Sequence, residues 1–150
     1  MPLKSYKLDF FECTTLSSNQ AYPAKSAGQI FTALNELKNA DKPTVREVSG
    51  QSYELRHILK TEYGFKGVIG KHRKNDLPHA AVISGDEREI ELAPNENLLE
   101  KTHFAFYEDY SILILQRNHF CIGSKNLGLY LTEGSYVTVL NPIIETADLQ

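Results

Sequence analysis

The chain has 150 residues, 41% of them hydrophobic, a formal net charge of −3 and only 2 cysteines. A single domain of this size, residues 1–150, buries roughly two-thirds of its unfolded surface and needs no covalent staple; Cys13 and Cys121 form no CxxC pair, which excludes a disulfide framework and argues for a reducing, cytoplasmic setting. The start, Met-Pro-Leu-Lys-Ser-Tyr-Lys, has no apolar signal core and no stretch approaches the roughly 18 apolar residues of a membrane span, so neither secretion nor membrane insertion is expected.

The first predicted element is a strand from Lys4 to Glu12, in which Tyr6, Leu8 and Phe10 alternate with Lys7 and Asp9; a polar loop, Ser17 to Lys25, follows. Ala27, Ile30, Phe31, Leu34 and Leu37 recur at spacings of three and four, which predicts an amphipathic helix with Ser26 as N-cap and Pro43 beyond its end. Val45 to Val48, Ser52 to Lys60 and Tyr63 to Lys71 read as strands joined by turns at Ser49-Gly50 and Thr61 to Gly64. Gly64, Gly67 and Gly70 do not open a helix, so they mark bulges or close backbone approach rather than a dinucleotide fingerprint.

After the break at Asn75-Asp76-Leu77-Pro78, Gly85-Asp86 marks the turn of a second hairpin before Arg88 to Leu92, and Pro94 opens a short helix, Glu96 to Lys101. His103 to Phe106, the acidic turn Glu108-Asp109 and the apolar run Ile112 to Leu115 read as a hairpin whose second strand is buried on both faces. A helix near Lys125 to Thr132 and a strand, Tyr136 to Leu140, complete an α+β fold: a largely antiparallel sheet, two main helices and one short helix.

Charge is uneven along this order. From Gln51 to Asn75 there are 6 basic against 2 acidic residues, a net of +4; from Asp86 to Tyr110 there are 2 basic against 8 acidic, a net of −6. Such blocks steer a polyanion to one side of a molecule or pair one copy with another. Lys66, Lys71, Arg73 and Lys74, with Tyr63 and Phe65 upstream, are the candidate nucleic-acid contacts, and binding through so few phosphates is expected to be weak and non-specific. Gln116, Arg117, Asn118 and His119 gather a fork donor, two amides and an imidazole at one strand end, which suits planar recognition of a carboxylate, phosphate or base edge. The structural alternative is that Arg117 braces the hairpin through Glu108 or Asp109.

Catalytic constellations are weakly represented. His57, His72, His79, His103 and His119 fit no zinc spacing, and in the acidic cluster Asp86, Glu87, Glu89 and Glu91 the last two alternate with Ile90 and Leu92 as on a wet edge strand. A metal-dependent nuclease would need converging carboxylates and a lysine; Asp109 with Gln116, Arg117 and His119 is the nearest approximation. Neither a metal nor another cofactor is expected.

The order of hairpin, acidic Leu-rich segment (Asn95-Glu96-Asn97-Leu98-Leu99-Glu100), aromatic strand (His103-Phe104-Ala105-Phe106), acidic turn, apolar strand ending in Arg117, glycine and Leu-rich helix resembles the N-terminal half of the RexA-type phage-exclusion proteins. It is also similar to uncharacterised bacterial proteins found among phage-defence genes, and the resemblance spans residues 26–134. It implies a protein about twice this length, acting in abortive infection, that dimerises and contacts DNA; no catalytic residue is carried over. The expectation is therefore a non-enzymatic interaction module in phage defence that self-associates and binds protein or nucleic acid. A metal-dependent nucleic-acid-processing enzyme and a small phage inhibitor of a host complex are the alternatives.

Overall fold

A computed structural model describes residues 7–17, 25–75, 77–134 and 136–143. Nine strands and two helices follow in the order β1 (Leu8–Ser17), α1 (Ala27–Asn39), β2 (Arg46–Val48), β3 (Gln51–Lys60), β4 (Gly64–Arg73), β5 (His79–Ala81), β6 (Glu87–Glu89), β7 (Leu98–Tyr107), β8 (Ile112–Gln116), α2 (Ser124–Tyr130) and β9 (Tyr136–Pro142). Seven of the strands form one antiparallel sheet in the order β2-β3-β4-β7-β8-β1-β9, while β5 and β6 make a separate two-stranded finger between β4 and β7.

Both main helices start and sit where the apolar spacing directs them. Ser26 caps α1 in a capping box, its hydroxyl accepting the Gln29 N–H while the Gln29 side chain accepts the Ser26 N–H. Ile30, Phe31 and Leu34 then face the sheet, and Phe31 stacks on Phe65, Phe104 and Phe106 at 5.9, 5.6 and 4.7 Å between ring centroids. From α2, Leu127 and Tyr130 complete the same core. The pleat sends alternate strand residues to opposite faces, so Leu55, Ile69, Phe104, Phe106, Leu113 and Leu115 are buried under the helices. The glycines expected to mark close approach do so: a Cβ on Gly67 would collide with the His57 carbonyl and the Phe104 ring.

Several boundaries differ from those expected. The predicted helix from Glu96 to Lys101 does not form: from Leu98 on the segment is the first part of β7, where Leu98, Leu99, Glu100 and Lys101 pair with Arg73, His72, Lys71 and Gly70. Cross-strand pairing, with Glu100 opposite Lys71 and 3.7 Å from Arg73, overrides a weak local helix preference. The first strand runs on to Ser17 because its two halves have different partners, β8 for Leu8 to Glu12 and β9 for Phe11 to Ser17. The second hairpin keeps only Glu87–Glu89 of its later strand, short of Ile90 and Leu92. Lys4, Tyr6 and most of the expected loop from Ser17 to Lys25 lie outside the described residues.

The apolar strand is not buried on both faces. Leu113 and Leu115 are buried, but Ile112 and Ile114 lie on the opposite face of the sheet and are only partly covered, since both helices pack on one side. No described element packs on that second face. Among the described residues no helix is long and apolar enough to cross a membrane.

Candidate functional site

The uncovered face carries a groove of about 830 Å³ that crosses β3, β4, β7, β8 and β1. Strand pairing builds it in rows. His57 pairs with Val68 and Val68 with His103; Gln116 bonds His103, and Leu8 pairs with Gln116. The next row is Leu59, Lys66, Ala105, Ile114 and Phe10. Five strands spaced by about 4.8 Å make each row about 19 Å long. Val68, Ala105 and Ile114 form an apolar floor, Tyr107 stands at the rim 6.1 Å from the Tyr63 ring, and His57, Lys66, His103 and Gln116 supply the polar groups.

Charge in the groove runs against that of the chain. Among the described residues no carboxylate lines it, whereas Lys66, His57 and His103 do. Neither the Lys66 nor the His57 side chain has an ion-pair or hydrogen-bond partner among the described residues. The nearby Arg56 is already engaged by Glu54 at 2.6 Å, and His72 Nε2 lies 3.0 Å from the same carboxylate oxygen. Burial pushes the Glu54 carboxyl up, but the hydrogen bonds from Arg56 and His72 outweigh it and hold it below its ordinary value.

His57 reaches the groove through a backbone irregularity. The register between β3 and β4 shifts between Leu55 and His57, so Arg56 is an extra residue and His57 falls on the uncovered face, although Leu55 two positions earlier is buried. The sequence carries the trace of this: Leu55 and Ile58 are both buried but three apart, which breaks the two-residue period of a regular strand.

The candidate residues read from sequence are divided by the same pleat. Lys66 is in the groove, but Lys71 and Arg73 are an odd number of residues away and face the helix side; at the far end of β4 they border, with His72 and Lys74, a separate cleft of about 320 Å³. The four basic residues therefore do not form one patch. Gln116 lines the groove and Arg117 does not. Arg117 braces the sheet, yet not through Glu108 or Asp109: its Nε and an Nη donate to the two carboxylate oxygens of Asp9, at 3.1 and 2.6 Å. Arg117 follows the end of β8 remote from the acidic turn and beside the start of β1, so Asp9 is the carboxylate within reach. Glu108 instead lies against the start of α1, where a Cβ on Gly28 would strike its carboxylate; helix N-termini favour negative charge there.

Asn118 holds the turn after β8, its Nδ2 donating to the Lys101 carbonyl at 2.8 Å and its Oδ1 accepting the Phe120 N–H at 3.0 Å. His119 is exposed beside Asp9. The alternative nuclease site is not assembled, because Asp109 sits in the hairpin turn while Gln116, Arg117 and His119 lie at the other end of β8. Among the described residues no three His, Cys, Asp or Glu side chains come together as a metal site. Comparison with protein-family models, curated proteins and solved structures finds no match to this chain.

Proposed function

We propose that this chain is a non-enzymatic binding module that holds single-stranded nucleic acid across the uncovered face of its sheet. The observation that carries the proposal is the groove with an apolar floor, one lysine, two histidines and, among the described residues, no carboxylate, in a chain whose net charge is −3. A small ligand is normally enclosed over most of its surface, and a groove on a bare sheet face cannot enclose one. An extended polyanion needs no enclosure: its phosphates meet Lys66 and His57, while its bases lie on Val68, Ala105 and the Tyr107 ring, as on other stacking platforms. The resemblance of the element order to RexA-type proteins supports a setting in phage defence.

Fluorescence anisotropy of a short labelled single-stranded oligonucleotide tests the reading. Binding at about 50 mM salt should weaken steeply as salt rises, and Lys66→Ala should remove about one phosphate contact, a change of about 0.7 in the slope of log affinity against log salt. Lys71→Ala, Arg73→Ala and Lys74→Ala together should leave that slope nearly unchanged, because those residues border the other cleft. Absence of binding at low salt, or binding indifferent to Lys66→Ala and His57→Ala, overturns the proposal.

A second reading, self-association, is favoured by a separate observation. Phe10, Leu16, Val137 and Ile143 on the β1 and β9 side of the sheet are 47%, 56%, 41% and 45% exposed. A second copy of the chain would cover them.

A further inference from the structure

Gln116 is half-buried at the end of β8, and its carboxamide can be oriented without ambiguity. Its Oε1 lies 3.2 Å from the backbone nitrogen of His103, which can only donate. The atom facing that N–H is therefore the oxygen, and the carboxamide nitrogen is turned away from the β7 backbone. The same Oε1 lies 3.0 Å from His103 Nδ1, so that ring nitrogen carries a proton and Nε2 of the neutral ring is left as an acceptor. The Thr102 hydroxyl donates to the Gln116 carbonyl at 2.7 Å and anchors the backbone beneath the pair.

Two polar groups are thus set side by side and left unused. Neither the Gln116 amide nitrogen nor His103 Nε2 has a hydrogen-bond partner among the described residues, and both side chains line the groove. One offers a donor and the other an acceptor. Each nucleobase presents a complementary pair, an acceptor next to a donor, along an edge that is exposed only when the strand is single.

We infer that Gln116 and His103 read one base edge: the Gln116 amide donates to a ring nitrogen or carbonyl of the base, and His103 Nε2 accepts from the adjacent N–H. Lys66, in the neighbouring row, meets the phosphate and carries no base preference. This inference rests on the nucleic-acid reading of the groove and gives it a specificity.

The test compares affinities for the four homopolymeric single strands. Adenine and cytosine present a ring-nitrogen acceptor beside an amino donor and guanine and thymine a carbonyl acceptor beside a ring N–H, so the unaltered chain, whose donor and acceptor are fixed in place, should separate these two pairs of bases by about tenfold, the scale of a good paired contact. Gln116→Leu should level the four affinities while leaving the salt slope unchanged, since phosphate contacts remain. Gln116→Glu keeps the acceptor for the His103 N–H but removes the donor; it should level them as well, which separates loss of the contact from loss of fold. Equal affinity of the unaltered chain for all four strands, or a preference that survives both variants, overturns the base-reading pair and leaves the groove proposal standing. No binding of any strand by the unaltered chain overturns both.

Discussion

The Tyr130 hydroxyl donates to the Thr44 carbonyl at 2.5 Å and at the same time accepts the Leu55 N–H at 3.2 Å. One buried oxygen thus ties α2 to β3 and to the segment entering β2. Arg46 closes the arrangement from above, donating to the Tyr130 carbonyl at 2.5 Å with its guanidinium 5.1 Å from the centre of the tyrosine ring. Tyr130→Phe leaves a buried carbonyl and a buried N–H without this partner, a loss of about 1–3 kcal/mol. Urea unfolding should show it, with oligonucleotide binding unaltered at low denaturant because the hydroxyl lies on the helix side. An unchanged midpoint would mean that the backbone groups find other partners.

The core of this arrangement is legible in the sequence where a period is long and undisturbed. Helix α1 keeps its apolar spacing over several turns, and the hairpin β7–β8 announces itself through aromatic and aliphatic runs on either side of an acidic turn. Leu98-Leu99-Glu100-Lys101 is a different case. Two adjacent leucines satisfy a short helix and a strand equally, and only the pairing with β4 decides between them. The groove is less legible still, because its polar groups come from β3, β4, β7 and β8, and His57 reaches it only through the bulge at Arg56. Pleat parity also separates Lys66 from Lys71 and Arg73 and Gln116 from Arg117, and neighbours in sequence conceal that separation.

The brace between Arg117 and Asp9 predicts a pH dependence of stability. The hydrogen bond from Arg117 holds the Asp9 carboxyl below its ordinary value of 3.8. A carboxyl lowered by folding contributes stability above its unfolded value, and that contribution is lost as pH falls through the folded one. Both groups are solvent-exposed, so the effect is small. Thermal melting of Arg117→Leu should lie below that of the parent at neutral pH, and the gap should close as pH drops below 3.8. Arg117→Lys should recover only part of it, since lysine cannot make the two-pronged contact. A gap that persists at low pH would assign Arg117 a packing role instead.

Burial pushes the thiols of Cys13 and Cys121 up to about 11. The Cys121 Sγ–H points at the Glu100 and Ile69 carbonyls, 3.3 and 3.6 Å away, and both residues are buried. At pH 8 the thiolate fraction in the folded chain should be about one in a thousand, far below that of an ordinary exposed cysteine. Alkylation followed by mass spectrometry should find both thiols unmodified in buffer and both modified in denaturant. Rapid labelling of Cys121 in the folded chain would show that the segment between β8 and α2 opens readily.

The last prediction concerns the β1 and β9 side of the uncovered face. Leu16 pairs with Val137, and the Ile143 N–H donates to the Phe10 carbonyl at 2.9 Å, so the exposed apolar side chains form two cross-strand pairs on one face, with the pairs Glu12–Asn141 and Thr14–Val139 between them. Exposed apolar pairs on one sheet face cost free energy in water and are commonly covered by another surface. The outer edge of β9 is not free to add a strand, since the Thr138 N–H donates to the Thr132 hydroxyl at 3.0 Å and its carbonyl lies against Gly128. Face-to-face contact between two copies would bury these residues. Sedimentation velocity should therefore show a reversible dimer at tens of micromolar, and Leu16→Lys with Val137→Lys should shift it to monomer while leaving the melting temperature within a few degrees, because both residues are exposed in the single chain. A parent chain that stays monomeric at that concentration, whether salt is high or low, would assign this patch to another partner.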